Sequence, residues 1–393
     1  MILRADSLLV RLTVLALLGI VVAQVLGAAG IAGLLFTMTF LLTAALWLVT
    51  VEESGCDFTV LWIMLLACTA VALNALLTGT AVSFSYVKKL IMFCTTILLF
   101  GAAERFVPRA GDAALMLRGN TVLACFLTGM YLWQREQMHL LGGRVTGYLT
   151  FRFTNPNLAA VFLCAVCMLE LIRAAASRGN CKKWGHILLA VVMGWFVWET
   201  QARNARLLLA VFLPAYLLLC LRPGWQPRFR GRMAALAAVS PLLFALGYLL
   251  LVYTPAAQCL FSFLTGEGKD LDSRVGIWRF ALEAFAASPL TGAYSQISEG
   301  TGASQMHNSL VDILASYGAP VCILVCMLLF RLLYCPRDRR EGRCQFLCRA
   351  GFAALLLSGL GEAMLFSGGM GICLFAGILR MLANYDFERE RIP

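Results

Sequence analysis

From end to end the chain is a succession of apolar runs of membrane-crossing length, and that succession constrains its fold more than any other feature. Runs at 8–28, 30–51, 58–78, 90–103, 113–133, 157–175, 186–200, 204–221, 233–253, 308–334, 346–366 and 368–385 are separated by charged or Gly/Pro-rich breaks. A bilayer core takes about 20 helical residues per crossing. Irregular backbone in lipid would leave amides and carbonyls without partners, so each run is predicted as a helix. Twelve such helices consume most of the 393 residues. The predicted fold is all-α: one polytopic membrane domain over residues 1–393 with about twelve transmembrane helices. Composition agrees, because 61% of the chain is apolar and 13% charged, against about 45–50% and about 25% in soluble domains. A soluble enzyme is excluded. The first run follows Arg4 and continues almost directly into the second, which reads as an uncleaved anchor and not as a signal peptide.

The net charge of +11 would suggest nucleic-acid binding in a soluble chain; in a membrane chain it is first a topology signal. With the N-terminus inside, twenty-one Lys and Arg residues fall on the cytoplasmic side and ten outside, with Arg118 mid-span. That asymmetry predicts both termini in the cytoplasm and a basic face toward anionic membrane lipid, and no nucleic-acid partner. The fifteen cysteines sit almost entirely in apolar runs or basic short loops and read as reduced small hydrophobes. Cys164 and Cys167 have C-x-x-C spacing but lie inside a span, and a zinc site would need two further ligands, so no metal is expected.

This orientation puts the two longest connections, 134–157 and 254–307, outside the membrane, and loops of that length are usually functional or disordered. Within the second, Asp272 or Ser273 is placed to cap an amphipathic helix near 274–287, with Val275, Trp278, Leu282 and Phe285 on one face. Such a helix is expected to lie on the outer leaflet until Pro289 stops it. Gly292, Gly300 and Gly302 then keep the chain flexible up to His307.

Few residues have the chemistry for a site. His139 and His186 have no partner in the sequence. His307 precedes Asn308 and Ser309, and Ser309-Leu-Val-Asp312 fits a capping box that would open the tenth span at Ser309. A histidine there is either a base for a hydroxyl at the outer membrane face or a capping-region side chain bonded to a loop carbonyl. Between the seventh and eighth spans, Arg203 and Arg206 share a helix face and Glu199 stands four residues before Arg203, an ion-pair spacing. Guanidinium groups near a bilayer are costly, and they suit a bidentate grip on phosphate oxygens; ordinary snorkelling at a helix end is the alternative, more so for Arg206. Arg274, after Asp270 and Asp272, is a further phosphate or ion-pair candidate. Of the acids inside spans, Glu170 and Glu362 stand out, and no ladder of carboxylates crosses a midplane. No Walker loop or dinucleotide glycine fingerprint is present, so chemistry driven by cytoplasmic nucleotides is unsupported.

Phe153-Thr-Asn155-Pro-Asn157-Leu-Ala, Thr200-Gln-Ala-Arg203-Asn-Ala, Ser273-Arg274-x-x-x-Trp278, Ser288-Pro-Leu-x-Gly292 and His307-Asn308-Ser-Leu-x-x-x-Leu-x-x-x-Gly318 occur in that order over about residues 145 to 330. This ordered set resembles the O-antigen ligase and O-antigen polymerase superfamily of bacterial membrane glycosyltransferases. The resemblance implies transfer of a glycan from an undecaprenyl-pyrophosphate carrier to an acceptor hydroxyl at the outer face of the cytoplasmic membrane, without metal, nucleotide or other cofactor. It implies that Arg203 and Arg274, with Arg206 as the alternate, hold the pyrophosphate, and that His307 orients or deprotonates the acceptor. Asn155, Asn157, Trp278 and Asn308 would shape the substrate cleft, and the helix at 274–287 would form its lid. The acceptor implied is another glycan, a lipid-anchored core or a wall polymer, so ligase and repeat-unit polymerase both remain open. A transporter of lipid-linked sugar or small solute is the reading from another class; it predicts pseudo-symmetric halves with helices broken at the midplane.

Overall fold

In a computed structural model, the described residues are 4–54, 58–79, 82–141, 144–153, 155–222, 225, 228–251, 254, 272–293, 306–336, 341–360, 364–367 and 371–388; the side chains of 29, 53, 54, 85, 141, 144, 145, 251, 272–275, 364 and 367 lie outside that description. The described chain is helical apart from a two-residue antiparallel ladder pairing Leu140 with Val145 and Leu141 with Arg144. The helices are α1 (Ala5–Val25), α2 (Ala29–Ser54), α3 (Phe58–Thr78), α4 (Phe84–Arg105), α5 (Ala110–Trp133), α6 (Pro156–Ala176), α7 (Asn180–Glu199), α8 (Arg203–Leu221), α9 (Gly231–Leu251), α10 (Asp272–Ala287), α11 (Ser309–Leu333), α12 (Arg343–Leu357), the single turn α13 (Met364–Ser367) and α14 (Ile372–Leu382). Among the described residues nine helices are long and apolar enough to cross a membrane: α1 to α6, α8, α9 and α11.

The other three expected spans differ for physical reasons. Helix α7 occupies the seventh run but carries Lys182 and Lys183 in its first turn, so its apolar stretch is short. The last two runs form helices of 15 and 11 residues, with a 3-10 turn, Ser358–Leu360, ending the first. A bilayer-length apolar run does not itself reveal where a buried chain breaks, because protein neighbours can satisfy the freed backbone groups that lipid cannot.

Helix α6 is the axis of the bundle. Every residue from Ala159 to Ile172 is buried, and the helix is wrapped by α5, α7, α8, α12 and α14. An apolar stripe on all sides is what such a position requires. Its interior exceptions are satisfied. Glu170 accepts from Asn120 (2.8 Å), Thr121 (2.7 Å) and His186 (2.8 Å), so His186, without a partner in the sequence, has a carboxylate in the fold. The C-x-x-C thiols diverge, Cys164 donating to Ala205 on α8 and Cys167 to Ala190 on α7.

Polar contacts sort the helix ends into two sets. At one end Asp112, opening α5, accepts from Ser7 and Arg11 of α1 (2.6 and 2.7 Å), and Arg331, ending α11, forks onto Glu104, ending α4 (3.1 and 2.8 Å). There too Arg343, opening α12, donates to Leu219 near the end of α8, and Asn384 donates to the Ala103 and Phe106 carbonyls at the end of α4. At the other end Gln24 of α1 donates to Arg152, Leu149 N–H to Glu199 ending α7, and Asn204 of α8 to Ser358 after α12. Consecutive long helices therefore run antiparallel. Both described termini of the chain lie at the Arg343 end, and the candidate residues lie at the Arg203 end.

Candidate functional site

The junction of α7 and α8 is a tight turn. Thr200 Oγ1 donates to Val197 (2.7 Å) and accepts from Ala202 N–H (3.3 Å), while Gln201 takes a left-handed φ of 56°. The expected Glu199–Arg203 pair across one helical turn is not formed, because this turn interrupts the helix between them. Instead Glu199, Gln201, Arg203 and Arg206 line an open cleft of about 410 Å³ with Gly147 and Trp198. Arg206 is fixed: its guanidinium lies 4.0 Å from the Trp198 ring centroid and donates to Trp198 O (3.0 Å), leaving a buried Nε–H with no partner. Arg203, the first residue of α8, is exposed and makes no side-chain hydrogen bond or ion pair among the described residues. Two guanidinium groups at a helix N-terminus, where the backbone dipole adds positive potential, form an anion-binding arrangement.

The described part of the 134–157 connection borders this cleft at Gly147. Glu136–His139 is a 3-10 turn, and Thr150 Oγ1 ties the chain back to Met138 O (3.1 Å) and Leu140 O (2.7 Å). Phe151 and Arg152 follow with φ of 48° and 61°, held by the burial of Phe151 against Phe196. Asn155 is the N-cap of α6, accepting from Asn157 N–H (2.9 Å).

His307 is approached from α11. Asn308, not Ser309, is the N-cap: its Oδ1 accepts from Leu310 and Val311 N–H (3.1 Å each), and its Nδ2 donates to Pro241 O of α9 (2.7 Å) and to Leu360 O (3.3 Å). Asparagine suits this position because its Oδ1 caps the helix while its two amide hydrogens reach two carbonyls, whereas a serine hydroxyl has one hydrogen to donate. Asp312 is thereby free of the expected capping box. Its carboxylate accepts from Lys89 Nζ of α4 (2.8 Å) and from Met306 N–H (3.3 Å), and Lys89 also reaches Ser316 Oγ (3.0 Å). Trp278 of α10 is buried and donates to Met306 O (2.6 Å). His307, with φ of 50°, is thus held between two anchored neighbours. Helix α10 is docked on α9 and α11, with the Trp278 and Tyr248 rings 5.7 Å apart.

Two further motif pieces meet inside α11. The helix is broken at Gly318 (φ 83°), and the chain after α10 enters the break: Ala319 N–H donates to Pro289 O and Ala293 N–H to Ala315 O (2.8 Å each). A Cβ on Gly318 would lie 2.3 Å from Leu290 O, and one on Gly292 (φ 71°) 2.6 Å from Ala315 O. Gly292 is therefore a packed turn and not a flexible link; Gly300 and Gly302 lie outside the described residues.

Arg203 and His307 belong to one assembly through their neighbours. Asn204 Nδ2 donates to Ser358 O (2.8 Å) and Asn308 Nδ2 to Leu360 O (3.3 Å), so both asparagines hang from the Ser358–Leu360 turn. Arg274 lies in the first turn of α10, with its side chain outside the described residues, as is Glu362. All four non-glycine residues of positive φ among those described, Phe151, Arg152, Gln201 and His307, lie in these segments, each a position costing on the order of 1–3 kcal/mol. The sequence reading missed Lys89, Asp312 and Ser316 as a group; the signal was a lysine at the very edge of an apolar run. Among the described residues no group of three His, Cys, Asp or Glu side chains is placed to hold a metal ion. No protein-family model and no curated protein matches the chain.

Proposed function

We propose that the chain is an O-antigen ligase-like glycosyltransferase of the bacterial cytoplasmic membrane, with its site on the outer face and both termini in the cytoplasm. The observation that carries this reading is the shared anchorage of Asn204 and Asn308 on one buried turn, which groups the residue after Arg203 with the residue after His307. On this reading Arg203, with Arg206 behind it and Arg274 from α10, binds the pyrophosphate of the undecaprenyl-linked donor. Their charge stabilises the negative charge that grows on the leaving diphosphate. His307 accepts the proton of the acceptor hydroxyl as its oxygen bonds to the anomeric carbon and the carbon–oxygen bond to phosphate breaks, inverting that centre. Asn155, Asn157 and the 134–157 segment form the rim.

The test is the surface glycan of a strain lacking the protein, displayed by length on a gel. Loss of all attached glycan with lipid-linked donor accumulating supports ligation; loss of long chains alone assigns repeat-unit polymerisation; an unchanged profile sinks both. One observation favours transport: a discontinuous helix, α11, as transporters use at the midplane. Its break is filled by Pro289 to Thr291 and not by a cavity, so the enzyme reading is preferred. Uptake of lipid-linked sugar into vesicles without transfer would reverse that preference.

A further inference from the structure

At the Arg343 end, remote from the candidate site, a cleft of about 180 Å³ opens between α6, α7, α8 and α12. Two of the side chains that line it keep a buried donor group with no hydrogen-bond partner. Tyr216, only 6% exposed, has a buried hydroxyl with no oxygen or nitrogen partner, and its one polar neighbour on α8 is the Cys220 thiol one turn on, a weak acceptor. Arg343 gives one Nη to Leu219 O but keeps a buried Nε–H with no partner. A third donor, Lys183 in the first turn of α7, has no side-chain partner among the described residues. Leaving a buried donor unmade costs about 1–3 kcal/mol, so two orphans beside an unpaired ammonium describe a site for an acceptor that carries negative charge.

We infer that this cleft binds the phosphate of an anionic membrane phospholipid, gripped by Lys183, Tyr216 and Arg343. Basic pockets between transmembrane helices take such headgroups. Two observations favour lipid over free phosphate. The lining is apolar beside the donors, through Leu219 and Leu347, and the neighbouring α8 surface is exposed and apolar at Leu218 and Leu221 (77%), so an acyl chain can leave the cleft along it. The acids Asp386 and Glu388 line an adjoining cleft of about 280 Å³ with Arg178, and among the described residues no carboxylate lines the cleft that holds Lys183.

The full-length protein in zwitterionic detergent would be titrated with phosphatidylglycerol, phosphatidylcholine and inorganic phosphate, following its thermal midpoint and lipid retention by native mass spectrometry. Phosphatidylglycerol should raise the midpoint and remain bound at concentrations at least tenfold below those needed for phosphatidylcholine. Arg343→Gln with Lys183→Gln should abolish that preference, and Tyr216→Phe, which keeps the ring packing, should weaken phosphatidylglycerol about tenfold while leaving phosphatidylcholine unchanged. Arg222→Gln, an exposed cation at the same end, should change neither. Equal binding of both lipids, or a preference surviving in Tyr216→Phe and the double variant, overturns the site. Equal protection by inorganic phosphate overturns its assignment to lipid.

Discussion

Arg203 and Arg206 stand three residues apart, yet the protein uses their hydrogen-bonding capacity differently. Arg206 is stacked on Trp198 and spends a donor on its carbonyl, whereas Arg203 is uncommitted. A charged hydrogen bond contributes about 1.5–3 kcal/mol, so Arg203→Ala should raise the donor concentration needed for half-maximal transfer by roughly 10- to 150-fold. Arg203→Lys should recover only part of this, since an ammonium lacks the fork. Equal donor dependence in wild type and Arg203→Ala removes Arg203 from the pyrophosphate. These arginines were legible because charges are rare in such a chain and their spacing is local. The Lys89–Asp312 pair was not, because it joins residues of α4 and α11 more than two hundred positions apart and each has an innocent local meaning: a topology charge and a cap. Glu170 stood out in the sequence but its pairing with His186 did not, because it joins side chains of two neighbouring helices, α6 and α7.

On the proposed reading helix α11 carries the site through its break at Gly318 and its anchor at Asn308, and both can be tested. Gly318→Ala puts a Cβ against Leu290 O at a left-handed φ; backbone blocks the relief, so a loss of about 2 kcal/mol or more is expected, read as a lowered thermal midpoint. An unchanged midpoint would mean that the break is not packed as described. Lys89→Met leaves Asp312 charged and buried, which costs about 3–5 kcal/mol. Replacing both, Lys89→Met with Asp312→Leu, should be less damaging than the sum of the single changes, a non-additivity that unpaired groups would not give. Apolar periodicity located the helices well where lipid touches them, and poorly at the end of the chain. There Ser358–Leu360 can leave the helical path because Asn204 and Asn308 take its carbonyls, a long-range rescue that no local pattern encodes.

For the molecule as a whole, the all-helical membrane architecture was present in the apolar runs themselves, since lipid permits so few alternatives. The alternation of ends predicts that tags at both termini are cut by protease from one side of the membrane, while a label at Gln201 reacts only from the other; reaction of all three from one side contradicts the topology. On the proposed reading, what joins topology to chemistry is the anchorage of Asn204 and Asn308, next to Arg203 and His307, on one turn at one end of the bundle. The most direct test is transfer in proteoliposomes from an undecaprenyl-pyrophosphate-linked glycan to an acceptor, comparing wild type with His307→Ala of unchanged folding and insertion. Loss of a positioned base lowers a rate by about 10²–10⁴-fold, so the variant should retain at most about one per cent of turnover with donor binding preserved. Near-normal turnover by His307→Ala, or no transfer by the wild-type protein with any glycan or lipid acceptor, would contradict the account.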